Sequence, residues 1–160
     1  MNNPTLPRLV AVGLRDRLRV MPAVVVTGAR QTGKSTLVRE LVPHGRRYLS
    51  LDDLDVADAA RRDPDVLLGG AGPVTLDEIQ REPWLLHAVK RATDRRRTPG
   101  RFLLTGSASL LLMHRVAEAL AGRSSYLALW PMTRREQQGL GRCGRWEELL
   151  GVPDAEWPEL

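Results

Sequence analysis

Four groups of residues in this sequence have the types and spacing to act on phosphate. The first is GARQTGKST, entered from the apolar run AVVVT, in which Gly28, Gly33, Lys34 and Ser35 meet the pattern G-x-x-x-x-G-K-[ST]. A polyoxygen anion needs several converging backbone N–H groups, and glycine lets a chain curl tightly enough to supply them. A helix starting at Lys34 adds the positive end of its dipole. On this reading Gly28, Ala29, Arg30, Gln31, Thr32, Gly33, Lys34, Ser35 and Thr36 form a phosphate cradle. Lys34 reaches the β- and γ-phosphates, and the Ser35 hydroxyl ligates Mg²⁺. The competing explanation is coincidence. With 14 glycines, 2 lysines and 15 serines or threonines in 160 residues, chance supplies roughly one match per thousand such chains.

The second group is Asp77-Glu78, at the end of the apolar stretch Val74-Thr75-Leu76. A carboxylate at the C-terminal tip of a parallel strand faces the crevice where open α/β sheets bind ligands. Asp77 is expected to hold Mg²⁺, directly or through water, and Glu78 to polarise the water attacking a γ-phosphate. Taken alone, the pair equally describes a solvated strand end or a helix N-cap. The third is Phe102–Ser107, FLLTGS, where Thr105 can orient that water if its strand lies between the first and third. The plainer account is a strand-to-helix turn, with Gly106 for the bend and Ser107 or Ser109 as cap. The fourth is Arg123 in ALAGRSS, placed to reach a neighbouring subunit's nucleotide and stabilise charge there. With 22 arginines in the chain, position alone singles it out weakly.

These residues need a scaffold that sets strand tips beside helix starts. Residues 5–20 carry apolar positions at helical spacing (Leu6, Leu9, Val10, Leu14, Leu18), and Met21-Pro22 ends them. Residues 23–27 read as a buried strand, and KSTLVRELV as a helix closed by Pro43. Further strands are expected over 47–51, 74–77, 101–105 and 126–130. Helices are expected over 52–62, with Asp52 or Asp53 as N-cap, from Pro83 to about 94, and over 109–120. One helical turn falls within 63–72. Short strands alternating with helices predict an α/β fold of about five parallel strands with helices on both faces. The loop motif, if it is a phosphate cradle, makes it a P-loop NTPase.

Composition permits one domain with one sizeable core: 42% of residues are hydrophobic, and no apolar run approaches membrane length. The single cysteine, Cys143, cannot form an intrachain disulfide and fits a cytoplasmic protein. The net charge of +5 favours anionic partners: nucleotides, nucleic acid or an acidic protein face. The basic turn Arg95-Arg96-Arg97 reads more simply as solvated. His44, His87 and His114 lack ligand spacing, and Trp84 and Trp130 are expected in the core.

GARQTGKST, YLSLDD, DPDVLL, VTLDEIQREPWLLHAVK, RFLLTGSASLLL and ALAGR occur in the order and spacing of a known family. Over residues 24–135 the chain resembles the AAA_14 family of bacterial and archaeal AAA-type ATPases, usually followed by a DUF4143 domain. The resemblance implies an AAA core with strand order 5-1-4-3-2, ATP and Mg²⁺ at residues 28 to 36, and Asp77 and Glu78 for metal and water. It makes Thr105 the sensor and Arg123 the arginine finger of a homo-oligomer. It divides the chain into an N-terminal amphipathic helix (1–20), the ATP-binding core (21–135) and a tail (136–160). In the family the chain continues for a couple of hundred residues, so the tail resembles the opening of a truncated C-terminal domain. The expected function is that of a Mg-dependent ATPase driving a conformational switch. Two other functions share the loop: a nucleotide-binding module with little turnover that contacts nucleic acid or a partner protein, and a small-molecule kinase.

Overall fold

The computed structural model describes residues 5–41, 45–70, 72–107 and 110–141. Five strands, β1 (Ala23–Gly28), β2 (Arg47–Ser50), β3 (Val74–Asp77), β4 (Phe102–Ser107) and β5 (Ser124–Ala128), form one sheet in the order β2-β3-β4-β1-β5. Every described pairing is parallel. This is the expected order read from the other edge, and β4 inserts between β1 and β3 as anticipated.

Alternation along the central strands builds two cores. Ala23, Val25, Phe102 and Leu104 face one side and pack with α3 (Leu54–Arg62), α5 (Leu85–Arg95) and α6 (Leu110–Ala119). Val24, Val26 and Leu103 face the other and pack with α1 (Val10–Val20) and the helix after the loop. Val24, Val25, Val26, Leu103 and Leu104 are fully buried, the condition that makes parallel strands read as unbroken apolar runs. Ala11, Leu14 and Leu18 are the buried stripe of α1, at spacings of three and four.

Local details depart from the sequence reading. α1 starts at Val10, and α5 starts at Leu85, so Pro83 precedes the helix and Ile79–Arg81 forms a separate short 3₁₀ turn. The helix after the loop is α-helical only over α2 (Lys34–Thr36), then widens to a π-helical turn at Leu37–Leu41. Its expected stop at Pro43 lies outside the described residues. Between α3 and β3, α4 (Pro64–Leu67) is the single turn expected there, capped by Asp63. β5 ends at Ala128, two residues earlier than expected, so Leu129 turns inward and Trp130, expected in the core, is 76% exposed. Trp84 is also partly exposed. A last short helix, α7 (Arg134–Gln137), carries a capping box between Thr133 and Glu136. Cys143, Trp146, Trp157 and most of the expected tail lie outside the described residues. No helix among the described residues is long and apolar enough to cross a membrane.

Candidate functional site

The parallel sheet brings the C-terminal tips of its strands to one edge, and the chemistry-bearing residues follow. Register pairs Gly28 of β1 with Ser107 of β4, and Ser50 of β2 with Asp77 of β3. Above these tips lies a cavity of about 820 Å³. Arg30, Gln31, Gly33, Lys34, Ser35 and Thr36 form one wall; Asp52, Glu78, Gln80, Arg81 and Ser107 form the other. The glycine-rich loop and the Asp-Glu strand end, 41 positions apart in the numbering, therefore face one space.

The loop's backbone is bound to its task. Gly33 has φ 86° and Gln31 φ 63°, left-handed conformations that turn successive N–H groups the same way. Gly28 cannot carry a side chain, because a Cβ there would lie 2.4 Å from the Leu129 carbonyl oxygen. Lys34 is buried along the inside of the loop and its Nζ donates to the carbonyls of Gly28 (3.2 Å) and Ala29 (2.8 Å). Of the described non-glycine residues, just Gln31 and Glu78 have positive φ, and both line the cavity. Each conformation costs of order 1 kcal/mol and persists where its surroundings enforce it, as functional sites do.

Asp77 and Thr105 sit one layer below the cavity. The buried Thr105 hydroxyl donates to Asp77 Oδ1 and accepts from the Glu78 N–H (3.1 Å). Tyr48 donates to Asp77 Oδ2. Burial first, and then this bond, push the Tyr48 phenol above its ordinary range, so it remains a donor. Both carboxylate oxygens thus receive a hydroxyl, and the chain beyond Asp77 turns so that Glu78 enters the cavity. Gln80 donates to Glu78 Oε2 and accepts from the Ser107 N–H (3.2 Å), joining the β3 and β4 tips. Of the two N-cap candidates for α3, one fills that place and the other turns to the site. Asp52 edges the cavity and accepts from Arg81 Nε (2.7 Å), while Asp53 caps α3 through the Asp55 N–H.

The fit to a divalent cation rests on this donor set. No group of three or more His, Cys, Asp or Glu among the described residues could hold a metal by itself. Mg²⁺ keeps several waters and binds through one or two protein oxygens plus substrate phosphates. The Ser35 hydroxyl in the cavity wall and the Asp77 carboxylate beneath it fit that mode.

Arg123 is placed elsewhere. It precedes β5 at the opposite edge of the sheet, paired with Asp94 through Nε and with the Ala121 carbonyl (2.9 Å). That Arg123–Asp94 hydrogen bond, aided by the charges of Arg123, Lys90 and Arg97 and opposed by burial, holds the Asp94 carboxyl below its usual range. Arg123 does not meet the loop of its own chain.

One residue that motif reading passes over holds the loop from behind. Arg8 is 6% exposed, and its guanidinium donates to the Thr32 carbonyl (2.7 Å), the Trp130 carbonyl (2.7 Å) and Glu136 (3.2 Å). Glu136 is equally buried and also accepts the Leu9 N–H (2.8 Å). Burial works against its charge, but the Thr133 and Leu9 N–H groups and Arg8 outweigh it and hold its carboxyl below the usual range. The pair's contribution is therefore present at neutral pH and is lost as pH falls through that lowered value. Removing one partner of a buried pair typically costs about 3–5 kcal/mol. Arg8→Ala is expected to lower the melting temperature by more than ten degrees at neutral pH in a calorimetric scan, and by clearly less in acid.

Comparison with known proteins follows the geometry. A family model described as AAA domain, AAA_14, matches residues 21–138. Two uncharacterized proteins, from Mycobacterium bovis and Mycobacterium tuberculosis, are each 40% identical over 131 residues. The match covers 81% of this chain but 30% of each relative, so the chain spans about a third of their length. Among solved structures, the P-loop NTPase domain of an E. coli Sigma-54 transport activator superposes with a TM-score of 0.48 at 21% identity, covering 76% of this chain and 95% of that one. Saccharomyces cerevisiae RIF2 gives 0.46 at 15% identity, covering 82% of this chain and 58% of that one.

Proposed function

The chain belongs to the AAA_14 family of AAA domains, whose P-loop NTPase fold supports a nucleotide-binding, ATPase-type function, and we propose that it binds ATP with Mg²⁺ and hydrolyses it. The observation that carries this reading is Glu78, held in a left-handed conformation at the tip of β3 and facing Lys34 and Ser35 across one cavity.

In this reading the N–H groups of residues 28–36 enclose the phosphates, and Lys34 swings from its loop carbonyls to the β- and γ-oxygens. Ser35 and Asp77 would hold Mg²⁺, which when bound would offset the charge shared between the β- and γ-phosphates. Glu78 accepts the proton of the attacking water, oriented by Gln80. Thr105 acts as a positioning residue, fixing Asp77 by its hydroxyl proton and Glu78 by its lone pair. A recess of about 290 Å³ beside the loop, where Leu6, Leu37 and Met132 meet Thr5, Thr36 and Glu40, offers apolar and polar walls to the base. Arg123 serves a second copy of the chain. Hydrolysis then drives a conformational change in whatever module is attached, in the cytoplasm.

The test is product analysis. Inorganic phosphate should appear from ATP in the presence of Mg²⁺, cease on chelation, and not be diverted to an added nucleoside. Phosphate transfer to the nucleoside would replace this reading by the kinase. ATP bound with no phosphate released would leave a binding module.

A further inference from the structure

Crossovers in a parallel sheet put every segment that precedes a strand on the edge opposite the strand tips. Here that edge is crowded with arginine. Arg19 ends α1 before β1, Arg46 precedes β2, Arg95, Arg96, Arg97 and Arg101 precede β4, and Arg123 precedes β5. With strands about 4.8 Å apart, the starts from β2 to β5 span roughly 19 Å.

Carboxylates neutralise some of these side chains. Asp16 pairs with Arg19, Asp65 with Arg95, and Asp94 with Arg123. Others have neutral partners in the structure. Arg46 donates to Thr75 Oγ1 and to the carbonyls of Val74, Gly100 and Arg101. Arg101 makes long bonds to the carbonyls of Ala92 (3.4 Å) and Gly70 (3.3 Å), and its Nε is buried without a partner. Arg97 donates to the Gly122 carbonyl and lies near Asp94, the carboxylate that pairs with Arg123. Arg19, Arg46 and Arg101 line one cavity of about 320 Å³, whose lining among the described residues includes no Asp or Glu.

Carbonyls satisfy guanidinium geometry but leave its charge uncompensated, and partial burial makes that unfavourable. Burial holds Arg46 down to about 10, while burial and repulsion from Arg96 lower Arg101. A row in which seven arginines meet three carboxylates fits a partner carrying several negative charges. Arginine's planar fork matches phosphate oxygens, and 19 Å is roughly the rise of five or six base steps.

We propose that this edge of the sheet, centred on Arg46, Arg96, Arg97 and Arg101, binds the phosphodiester backbone of nucleic acid, independently of the nucleotide cavity on the opposite edge. Contacts run to phosphate rather than to bases, so binding is salt-dependent and largely indifferent to sequence.

Fluorescence anisotropy with a labelled 20-nucleotide DNA, single-stranded and duplex, across 25–200 mM NaCl tests this. The wild-type chain should bind, with log K falling against log salt at a slope of about −3 to −4. Arg96→Gln/Arg97→Gln/Arg101→Gln should weaken binding at least tenfold and reduce the slope by about two to three, with ATP affinity retained. Since Arg101 packs against Phe102, the surface double variant Arg96→Gln/Arg97→Gln is the control for folding and should reduce the slope by about two. Polyglutamate should displace the DNA only in large excess. No binding at 25 mM salt, binding by both variants equal to that of the wild type, or equally effective displacement by polyglutamate would overturn the assignment.

Discussion

Replacing Lys34 by alanine should lower the affinity for Mg·ATP by about 100-fold or more while leaving the fold intact. The ammonium is held inside the loop by two carbonyls and retains donor capacity for phosphate. Hydrogen bonds to charged groups contribute about 1.5–3 kcal/mol each, so losing two corresponds to at least two orders of magnitude in binding. Alanine is a strong helix former at the start of α2. Calorimetric titration of Mg·ATP, with circular dichroism to check the fold, measures the effect. Unchanged affinity would remove the cradle from the account.

The parts of this architecture set by neighbouring residues were readable from the chain. The Val-rich run before the loop, the glycine spacing and the Asp-Glu strand end each depend on local pattern, and β1, the loop and β3 lie where expected. The strand order followed from the resemblance and from where Thr105 had to sit. What escaped reading depends on distant partners. Arg8 looks like one arginine of 22, and its role needs Glu136, 128 positions away, and the carbonyls of Thr32 and Trp130. Gln80 sits in IQRE without a distinguishing pattern, yet it bridges Glu78 and Ser107. Thr105 was expected at the γ-phosphate; the register that sets Leu76 beside Leu104 puts it level with Asp77, where it is buried. The π-helical turn after Thr36 and the inward turn of Leu129 are tertiary choices with no period of their own. The asymmetry of the sheet edges was hidden too, because the arginines that share one edge are scattered from residue 19 to residue 123.

Glu78→Gln should lower hydrolysis by about 10²–10⁴-fold, the usual worth of a positioned general base, with ATP affinity little changed. Glutamine keeps the shape, the left-handed backbone requirement and an acceptor oxygen for Gln80; it lacks only the basicity. Thr105, which takes the backbone N–H of residue 78, is untouched by the change. A loss confined to turnover would assign the proton to Glu78, since a merely structural role would weaken binding as well. The decisive measurement is single-turnover release of phosphate from ATP with Mg²⁺, made on the wild type and Glu78→Gln at protein concentrations that saturate binding in both. The account predicts release by the wild type and its near-complete loss in the variant. Equal rates in the two proteins, or ATP bound by the wild type without phosphate release, would contradict it.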